Sequence, residues 1–362
     1  MSASTTVSGV RQADALAKID ESALRAYYPR VAGLGLVPAW LLYKGLFPPY
    51  PTPATLPAHW SYEKVSPCLN EAGRLISPEH AERRVLMFEN PGLPGQGQIT
   101  GTMSGALQLI LPGERAPAHR HAAAAFRFVL EGHGGAVTTV EGQQVQMFPG
   151  DLVVTPSWAW HDHISASDTS AVWFDGLDVY LVNFLCANFF EIHAERQQPV
   201  DRSAVISGAD FSHNLLPVEH EHDRQLSPIR SYPYARSREA LDVLSRTSRP
   251  DPWHGFRMKY ANPLSGGWVM PTIATTIQFL PRGYHTAPYR STEAAVFIVV
   301  EGQGESKIAD SRFAWREHDV LVVPNWAFHE IRADTDAVLF SYSERAALES
   351  LGLFREEKCK PT

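Results

Sequence analysis

Short apolar runs separated by turn residues dominate two stretches of the chain. Runs rich in Val, Ile, Phe and Thr, such as "RFVLEG" at 127–132 and "VFIVVEG" at 296–302, alternate with Gly, Pro and Asp turns. This pattern is typical of the strands of an antiparallel sandwich or barrel. Helical spacing of apolar residues appears in three flanking segments, at 11–28, 237–246 and 343–357, and Ser77 with Pro78 marks a further helix start. The sequence therefore predicts a mostly β fold with flanking helices.

The two β-rich stretches are copies of each other. "GDLVVTPSWAWHDHI" (150–164) aligns without a gap with "HDVLVVPNWAFHEI" (318–331), which places Asp151 on Asp319 and His161 on His329. Upstream, 107–132 aligns with 277–302. A duplication of this kind predicts two tandem, jelly-roll-like β-barrels. The chain then divides into a helical and proline-rich arm (1–95), a first barrel (96–185), a linker with short helices (186–265), a second barrel (266–343), and a C-terminal helix and tail (344–362).

Composition and charge narrow the range of partners. The net charge is −7 and there is no cluster of Lys or Arg, so we expect neither nucleic acid nor an anionic membrane as a partner. The longest apolar stretch, at 171–190, is interrupted by Asp175 and Asp178, which makes it a poor membrane span. Three scattered cysteines without a CxxC pair indicate a reducing compartment. We expect a cytoplasmic protein.

A candidate metal site lies in the first repeat. His119 and His121 are two residues apart in a predicted strand, so both side chains point to the same face, which inside a small barrel is the lumen. His161 ends the strand that follows the Gly150–Asp151 turn and supplies a third imidazole. An isolated HxH pair is more often solvated or hydrogen-bonded than metal-binding, and the "EHEHD" stretch at 219–223 is interpreted as a solvated loop.

The spacing around these histidines resembles the two-part cupin pattern. In G-x5-H-x-H-x3-E-x6-G and G-x5-P-x-G-x2-H, seven of nine positions match, with Ala125 replacing the glutamate and Trp158 replacing the glycine. Without the carboxylate, three neutral imidazoles leave the charge of a divalent metal uncompensated, so the site favours an anionic chelate. In the second repeat the triad positions hold Tyr289, Ser291 and His329, and we expect no metal there.

Arg127 lies six residues beyond His121, on the same strand parity. A buried arginine needs a carboxylate. One possibility is a salt bridge to Asp175 or Glu131, and the other is a bidentate clamp on a substrate carboxylate. His163 and Gln108 can also line the lumen as hydrogen-bonding groups, although either one could be purely structural.

Several longer stretches resemble the two-cupin, ring-cleaving gentisate 1,2-dioxygenases and their salicylate and 1-hydroxy-2-naphthoate relatives. They include "EAGRLISPEHAERRVLMFENPGL", "LQLILPGERAPAHRH", "TPSWAWHDH", "FDGLD" and "LGLFREE", and the resemblance runs from about residue 56 to the C-terminus. It implies one Fe(II) per subunit in the first cupin domain, held by His119, His121 and His161, and a homotetramer. It also implies that Arg127, Gln108, His163, Asp175 and, more weakly, Arg84 surround a small aromatic carboxylate that reacts with O2.

The chain departs from the family where substrate specificity is expected. It has "HRHAA" where gentisate enzymes commonly have HRHTQ, and "SGALQL" where they have an aromatic residue and AG before LQL. The residues expected to shape the pocket are Ser104, Ala106, Ala122, Ala123 and Trp160. Gentisate and other 5-substituted salicylates such as 5-nitrosalicylate therefore both remain as substrates, with salicylate and 1-hydroxy-2-naphthoate as alternatives. A cupin isomerase or a non-catalytic metal-binding cupin is the alternative from another class.

Overall fold

The computed structural model describes residues 20–77, 80, 83–166, 168–200 and 226–360. The chain divides into two compact units, one up to residue 50 and the other from residue 51 onward. In the first unit, helix α1 (Glu21–Gly33) is followed by a 3-10 turn (Ala39–Leu41) and helix α2 (Tyr43–Leu46). Asp20 caps α1, because its Oδ1 accepts hydrogen bonds from the backbone N–H groups of Ser22 and Ala23. The helix predicted at 11–28 is confirmed from residue 21, and its first part lies outside the described residues.

The second unit is built mainly of strands. The strands of its first half are β1 (Ala58–Trp60), β2 (Arg84–Met87), β3 (Ser104–Ile110), β4 (Arg115–His121), β5 (Ala125–Glu131), β6 (Ala136–Val140), β7 (Gln143–Met147), β8 (Leu152–Thr155), β9 (His161–Ser165), β10 (Ala171–Leu177), β11 (Phe190–Ile192) and β12 (Ser231–Tyr232). Those of its second half are β13 (Phe256–Lys259), β14 (Ala274–Leu280), β15 (Tyr289–Ser291), β16 (Ala295–Glu301), β17 (Gln303–Ile308), β18 (Ser311–Arg316), β19 (Val320–Val323), β20 (His329–Ala333), β21 (Ala337–Ser343) and β22 (Glu356–Lys358). The helices are α3 (Tyr62–Leu75), α4 (Val179–Phe184), α5 (Tyr234–Thr247) and α6 (Arg345–Ser350).

Within the described ranges the strands form four sheets, two for each barrel. The first barrel pairs the sheet β12-β8-β5-β10-β3-β2 with the sheet β11-β4-β9-β6-β7, and the second pairs β1-β19-β16-β21-β14-β13 with β18-β17-β20-β15-β22. Strand β1, from the N-terminal side, joins the second barrel, whereas β12, from the linker, joins the first. The predicted two-barrel, jelly-roll-like fold is confirmed. The sheets also take in β2 and β13, which lie before the barrel boundaries at 96 and 266 drawn from the sequence.

The large six-stranded sheets of the two barrels pack face to face. Because neighbouring residues of a strand point to opposite sides, Phe126 and Phe128 of β5 project away from the lumen and contact Phe340 of β21, with ring centroids 5.4 and 4.3 Å apart. These rings belong to the largest apolar cluster of the molecule. Each lumen has a smaller cluster of its own, around Trp173 in the first barrel and around Trp315 in the second.

The duplication extends to backbone detail. Trp158 and Trp326, at equivalent positions, adopt left-handed φ angles of 63° and 62°, where the cupin pattern has a glycine. Each tryptophan contacts the guanidinium of an equivalent arginine, Arg120 at 4.4 Å and Arg290 at 4.6 Å. This cation–π contact gives the large side chains a packing partner at a position that otherwise favours glycine.

The flanking helices agree with the sequence in part. The helix predicted at 237–246 is confirmed within α5. The helix predicted at 343–357 is wrong beyond Ser350, because Gly352 has a φ of 71° and the chain then forms β22, which pairs with β15. The helix predicted to start at Ser77 and Pro78 lies largely outside the described residues, as does the histidine pair at 219–223. None of the helices in the described parts of the chain is long and apolar enough to span a membrane.

Candidate metal centre and active site

Three imidazoles converge in the lumen of the first barrel. His119 and His121 project from the same face of β4, and His161 begins β9, where it is the cross-strand partner of His119. One ring nitrogen from each of the three lies within 4.8 Å of the others. Among the described residues, this is the one cluster of at least three His, Cys, Asp or Glu side chains that could hold a metal ion. The structure thus brings together the three ligands predicted from the sequence.

The hydrogen bonds of the imidazoles suit them to bind a metal. The Nδ1 atoms of His119, His121 and His161 lie 3.1, 2.7 and 3.0 Å from the carbonyl oxygens of Pro117, Ala123 and Ala159. Carbonyls accept from Nδ1–H, so in this tautomer each Nε2 lone pair is left for a metal. In His119 the same tautomer excludes a hydrogen bond from Nη2 of Arg83, which also lies 2.8 Å from Nδ1. Nε2 of His119 is buried and has no hydrogen-bond partner within the described ranges. A divalent cation that prefers imidazole nitrogen would satisfy this atom.

Burial keeps the three imidazoles neutral. It lowers the pKa of His119 to about 2, with a further decrease from the nearby Arg83, and lowers the pKa of His121 to about 4. The pKa of the fully enclosed His161 also falls well below its usual value, because of burial and then because of Arg127. Neutral imidazoles are the form that binds metals, so the site is ready for a cation at neutral pH.

Arg127 lies on β5 beside the triad and is almost completely buried. Its Nη1 donates to Thr155 Oγ1 at 2.7 Å, and its Nε lies 3.6 Å from Asp175 Oδ1. That distance permits an ion pair but is too long for a hydrogen bond, and Nε has no hydrogen-bond partner in the described chain. Burial lowers the pKa of Arg127 to about 10, while Asp175 opposes the decrease, so the guanidinium stays charged. Of the two possibilities drawn from the sequence, the ion pair with Asp175 exists, and one donor remains for a ligand.

Gln108, Ala106 and Ser104 lie on the lumen side of β3. Their cross-strand partners on β10 are Trp173, Asp175 and Leu177. Asp175 Oδ2 accepts a hydrogen bond from Trp173 Nε1 at 3.0 Å, and burial raises the pKa of the carboxyl group although Arg127 opposes the increase. This row of residues forms one wall of the lumen, and Ala106 leaves it open opposite Asp175.

His163 lies two residues after His161 and faces the same lumen. Its Nδ1 is 2.9 Å from the hydroxyl of Thr138, and that hydroxyl is 3.2 Å from the sulfur of Met147. If the hydroxyl hydrogen points to the sulfur, its oxygen accepts from Nδ1–H and the Nε2 of His163 remains an acceptor. Among the described residues no hydrogen bond joins His163 to Asp175, whose partners are Thr138 and Trp173, respectively.

The structure places a different arginine at the triad from the one predicted. Arg84 donates to both carboxylate oxygens of Glu114 and to the carbonyl of Ile76, in a buried pair away from the imidazoles. Arg83 instead has its Nη2 2.8 Å from Nδ1 of His119. Sequence reasoning missed Arg83, although strand parity around "ERRVL" offers two arginines that must point to opposite sides.

The other pocket-shaping candidates differ in position. Ala123 is fully buried and holds His121 through its carbonyl. Ala122 hydrogen-bonds through its backbone to Phe189 and to the hydroxyl of Ser157. Trp160 points away from His161 and packs on Arg120, 4.5 Å from the ring centroid. Trp160 therefore lies outside the lumen and does not line the site.

Comparison with known proteins agrees with the geometry. A family model described as "Cupin domain" matches residues 106–180, which include all three imidazoles. The chain is 45% identical over 334 residues to gentisate 1,2 dioxygenase 1 of Aquipseudomonas alcaligenes, covering 92% of this chain and 96% of that protein. The chain belongs to the gentisate 1,2-dioxygenase family. It is therefore a ring-cleaving 1,2-dioxygenase.

Two further relatives of this dioxygenase show how wide the family is. 5-Aminosalicylate 1,2-dioxygenase of a Comamonas species is 36% identical, over 92% of this chain and 90% of that one. The crystal structure of salicylate 1,2-dioxygenase from Pseudoaminobacter salicylatoxidans with gentisate superposes with a TM-score of 0.87 at 31% identity, covering 95% of this chain and 96% of that one. Relatives named for different substrates thus belong to one family.

Proposed function

We propose that this dioxygenase uses Fe(II) and O2 to cleave the ring of a 2-hydroxybenzoate between C1 and C2, with gentisate or another 5-substituted salicylate as substrate. The single observation that supports this proposal is the convergence of three neutral imidazoles beside the buried guanidinium of Arg127. Three nitrogen ligands leave open positions on the metal, and the guanidinium of Arg127 in the same lumen attracts a carboxylate. His119, His121 and His161 would hold the Fe(II), which when bound would supply Lewis-acid activation of the substrate and electron transfer to O2.

The residues of the chain orient the substrate. The charged guanidinium of Arg127, whose Nε has no hydrogen-bond partner among the described residues, binds the substrate carboxylate, and Arg83 supplies a second positive charge from the side of His119. Asp175 pairs with Arg127 and is itself fixed by Trp173. Because these partners are fixed before the substrate binds, little ordering entropy is lost on binding.

We assign proton transfer from the 2-hydroxyl group to His163. Burial keeps the pKa of His163 well below its usual value, with Arg127 lowering it further, so the ring is neutral and Nε2 accepts. It can hold the proton released from the 2-hydroxyl group and return it as the ring opens. Both oxygen atoms of O2 enter the product, an open-chain oxo-dicarboxylate, which is maleylpyruvate when the substrate is gentisate.

Small side chains near the site favour a substituent on the ring. Ala106 lies opposite Asp175 on the lumen wall, and Ala122 and Ala123 follow His121 directly. The 45% identity to a gentisate 1,2 dioxygenase favours gentisate, and the identity to 5-aminosalicylate 1,2-dioxygenase favours tolerance of other groups at C5.

The test is oxygen consumption after anaerobic loading with Fe(II). Gentisate, salicylate, 5-nitrosalicylate and 1-hydroxy-2-naphthoate are compared in an oxygen electrode, with His161→Ala as the control that removes a ligand. We expect one O2 per molecule of the preferred ring and none in the control. If the wild type binds Fe(II) but consumes no O2 with any of the four, the chain is a cupin isomerase or a metal-binding cupin without oxygen chemistry.

We also propose that the protein is a cytoplasmic homotetramer. Large apolar side chains are exposed around α4 and β11, namely those of Phe184, Leu185, Phe189, Phe190 and Ile192. Clustered exposed apolar residues are typical of subunit contacts. Light scattering coupled to gel filtration measures the mass, and a value of one or two chains would contradict the tetramer.

A further inference from the structure

The second barrel has lost the metal ligands but gained an arginine. Tyr289 and Ser291 stand where the first barrel has histidines, and His329 alone remains of the triad. On β13, Arg257 is the cross-strand partner of Gln278, just as Val85 on β2 is the partner of the equivalent Gln108. The second barrel thus carries a positive charge where the first has an apolar side chain.

The partners of Arg257 leave its charge without a counterion. Its Nε donates to the hydroxyl of Thr276 at 3.1 Å, and its Nη1 lies 3.4 Å from Nδ1 of His254. Both partners are neutral, because burial lowers the pKa of His254 to about 2. No carboxylate oxygen in the described ranges lies within 4.0 Å of the guanidinium, although Glu293 is close enough to raise the pKa of Arg257 against the effect of burial.

Arg257 faces a cavity of about 560 Å³, which is within the range that holds small ligands. The cavity is lined by five cationic side chains and three carboxylates: Arg249, Arg257, Lys259, Arg345, Lys358, Asp251, Glu349 and Glu356. The three carboxylates already have partners. Glu349 and Glu356 pair with Arg345 and Lys358, and Asp251 Oδ1 accepts from two backbone N–H groups. The charges left over are those of Arg249, Arg257, Lys259 and Asp251, so the cavity keeps a net positive charge.

We propose that this cavity of the second barrel is a binding site for a small organic carboxylate, clamped by Arg257. A guanidinium presents its N–H groups in a fork that matches the two oxygens of a carboxylate. Lys259 adds a second cation at the edge of the cavity, where its ammonium lies 5.4 Å from the ring centroid of Trp268. The volume of the cavity admits a compact carboxylate such as benzoate, which therefore serves as the probe. The site is independent of the metal centre and contains none of its residues.

The experiment combines crystallography with binding in solution. Crystals of the wild-type protein are soaked with 4-bromobenzoate, and bromine is located by its anomalous signal. We expect one peak beside Arg257, distinct from any peak near the three imidazoles. No peak beside Arg257 would overturn the proposal, whereas a missing peak at the imidazoles bears only on the dioxygenase site.

Fluorine NMR titrations then measure the affinity of the metal-free protein for 4-fluorobenzoate. The protein also carries Arg127→Met, because this substitution weakens binding of the ligand in the first barrel. Arg257→Met should weaken the remaining site at least tenfold, and Arg257→Lys, which keeps the charge, by less. The matched control Arg312→Met removes an exposed arginine of the same barrel and should leave the affinity unchanged.

Inorganic phosphate is the competitor that tests the ligand class. We expect it to displace fluorobenzoate only at concentrations well above that of the carboxylate. Equal affinity for phosphate would show an unselective anion site, and unchanged fluorobenzoate affinity in Arg257→Met would show that Arg257 binds nothing. Either result would overturn the proposal.

Discussion

Replacing Arg127 with methionine tests the carboxylate clamp directly. The side chain keeps much of its apolar volume but loses the charge beside the three imidazoles. A hydrogen bond to a charged group contributes about 1.5–3 kcal/mol, so the one donor that remains for a substrate carboxylate contributes about 2 kcal/mol. At about 1.4 kcal/mol for each factor of ten, kcat/KM should fall about thirtyfold. The imidazoles are untouched, so iron content should stay at one per subunit.

The same change also affects stability through Asp175. This carboxyl group is buried and would keep only the hydrogen bond from Trp173. Breaking a buried ion pair costs about 3–5 kcal/mol, and the 3.6 Å separation favours the lower end of that range. Burial already raises the pKa of Asp175. A folded acid with a raised pKa contributes stability at low pH that is lost as pH rises, so the variant should be less impaired at pH 5 than at pH 8.

The assays are steady-state oxygen uptake, metal analysis and urea unfolding at both pH values. Arg127→Lys is the matched control that keeps the charge but not the fork, and it should recover part of kcat/KM. Arg127→Met/Asp175→Asn should recover most of the stability and none of the activity. A kcat/KM within threefold of wild type in Arg127→Met would refute the clamp.

Four other variants test the roles of further groups. Arg83→Met should raise KM about tenfold. Arg84→Met should lower the free energy of unfolding by about 3 kcal/mol, because its buried ion pair is lost, and should leave kcat/KM per folded molecule unchanged. The opposite pattern would exchange the roles of the two arginines. Thr138→Val removes the hydrogen bond on His163 and should lower kcat about tenfold and shift its pH profile at constant iron content; an unchanged profile would remove His163 from proton transfer. Burial raises the pKa of Glu344 to about 7, so this group stabilises the fold below about pH 4.5 and loses that contribution as pH rises through 7. Glu344→Gln should therefore unfold at higher urea than wild type at pH 8 and similarly at pH 5, and a gain at pH 5 alone would contradict this.

Local pattern was enough for the parts of the fold that repeat. The duplication and the alternation of apolar and polar residues predicted two barrels. Both the two-residue repeat of a strand and the turn residues that end it can be read from consecutive positions of the sequence. The helix at 343–357 was predicted too long, since its last residues are recruited as β22 by pairing with β15, a contact distant in sequence. In the same way, β1 precedes the first barrel in the chain but pairs within the second, and β12 follows the first barrel but pairs within it.

The sequence by itself predicted the metal ligands, because spacing fixes strand parity and His119 and His121 had to share a face of β4. Arg127 belongs to β5 in the facing sheet, and only the tertiary structure decided that it meets them in the lumen. Which of Arg83 and Arg84 reaches the triad depended on the packing of β2 against Glu114, and only the tertiary structure decided it. The pairing of His163 with Thr138 and the uncompensated charge of Arg257 likewise depend on cross-strand neighbours. Such neighbours are chosen by register and burial, which no short stretch of sequence contains.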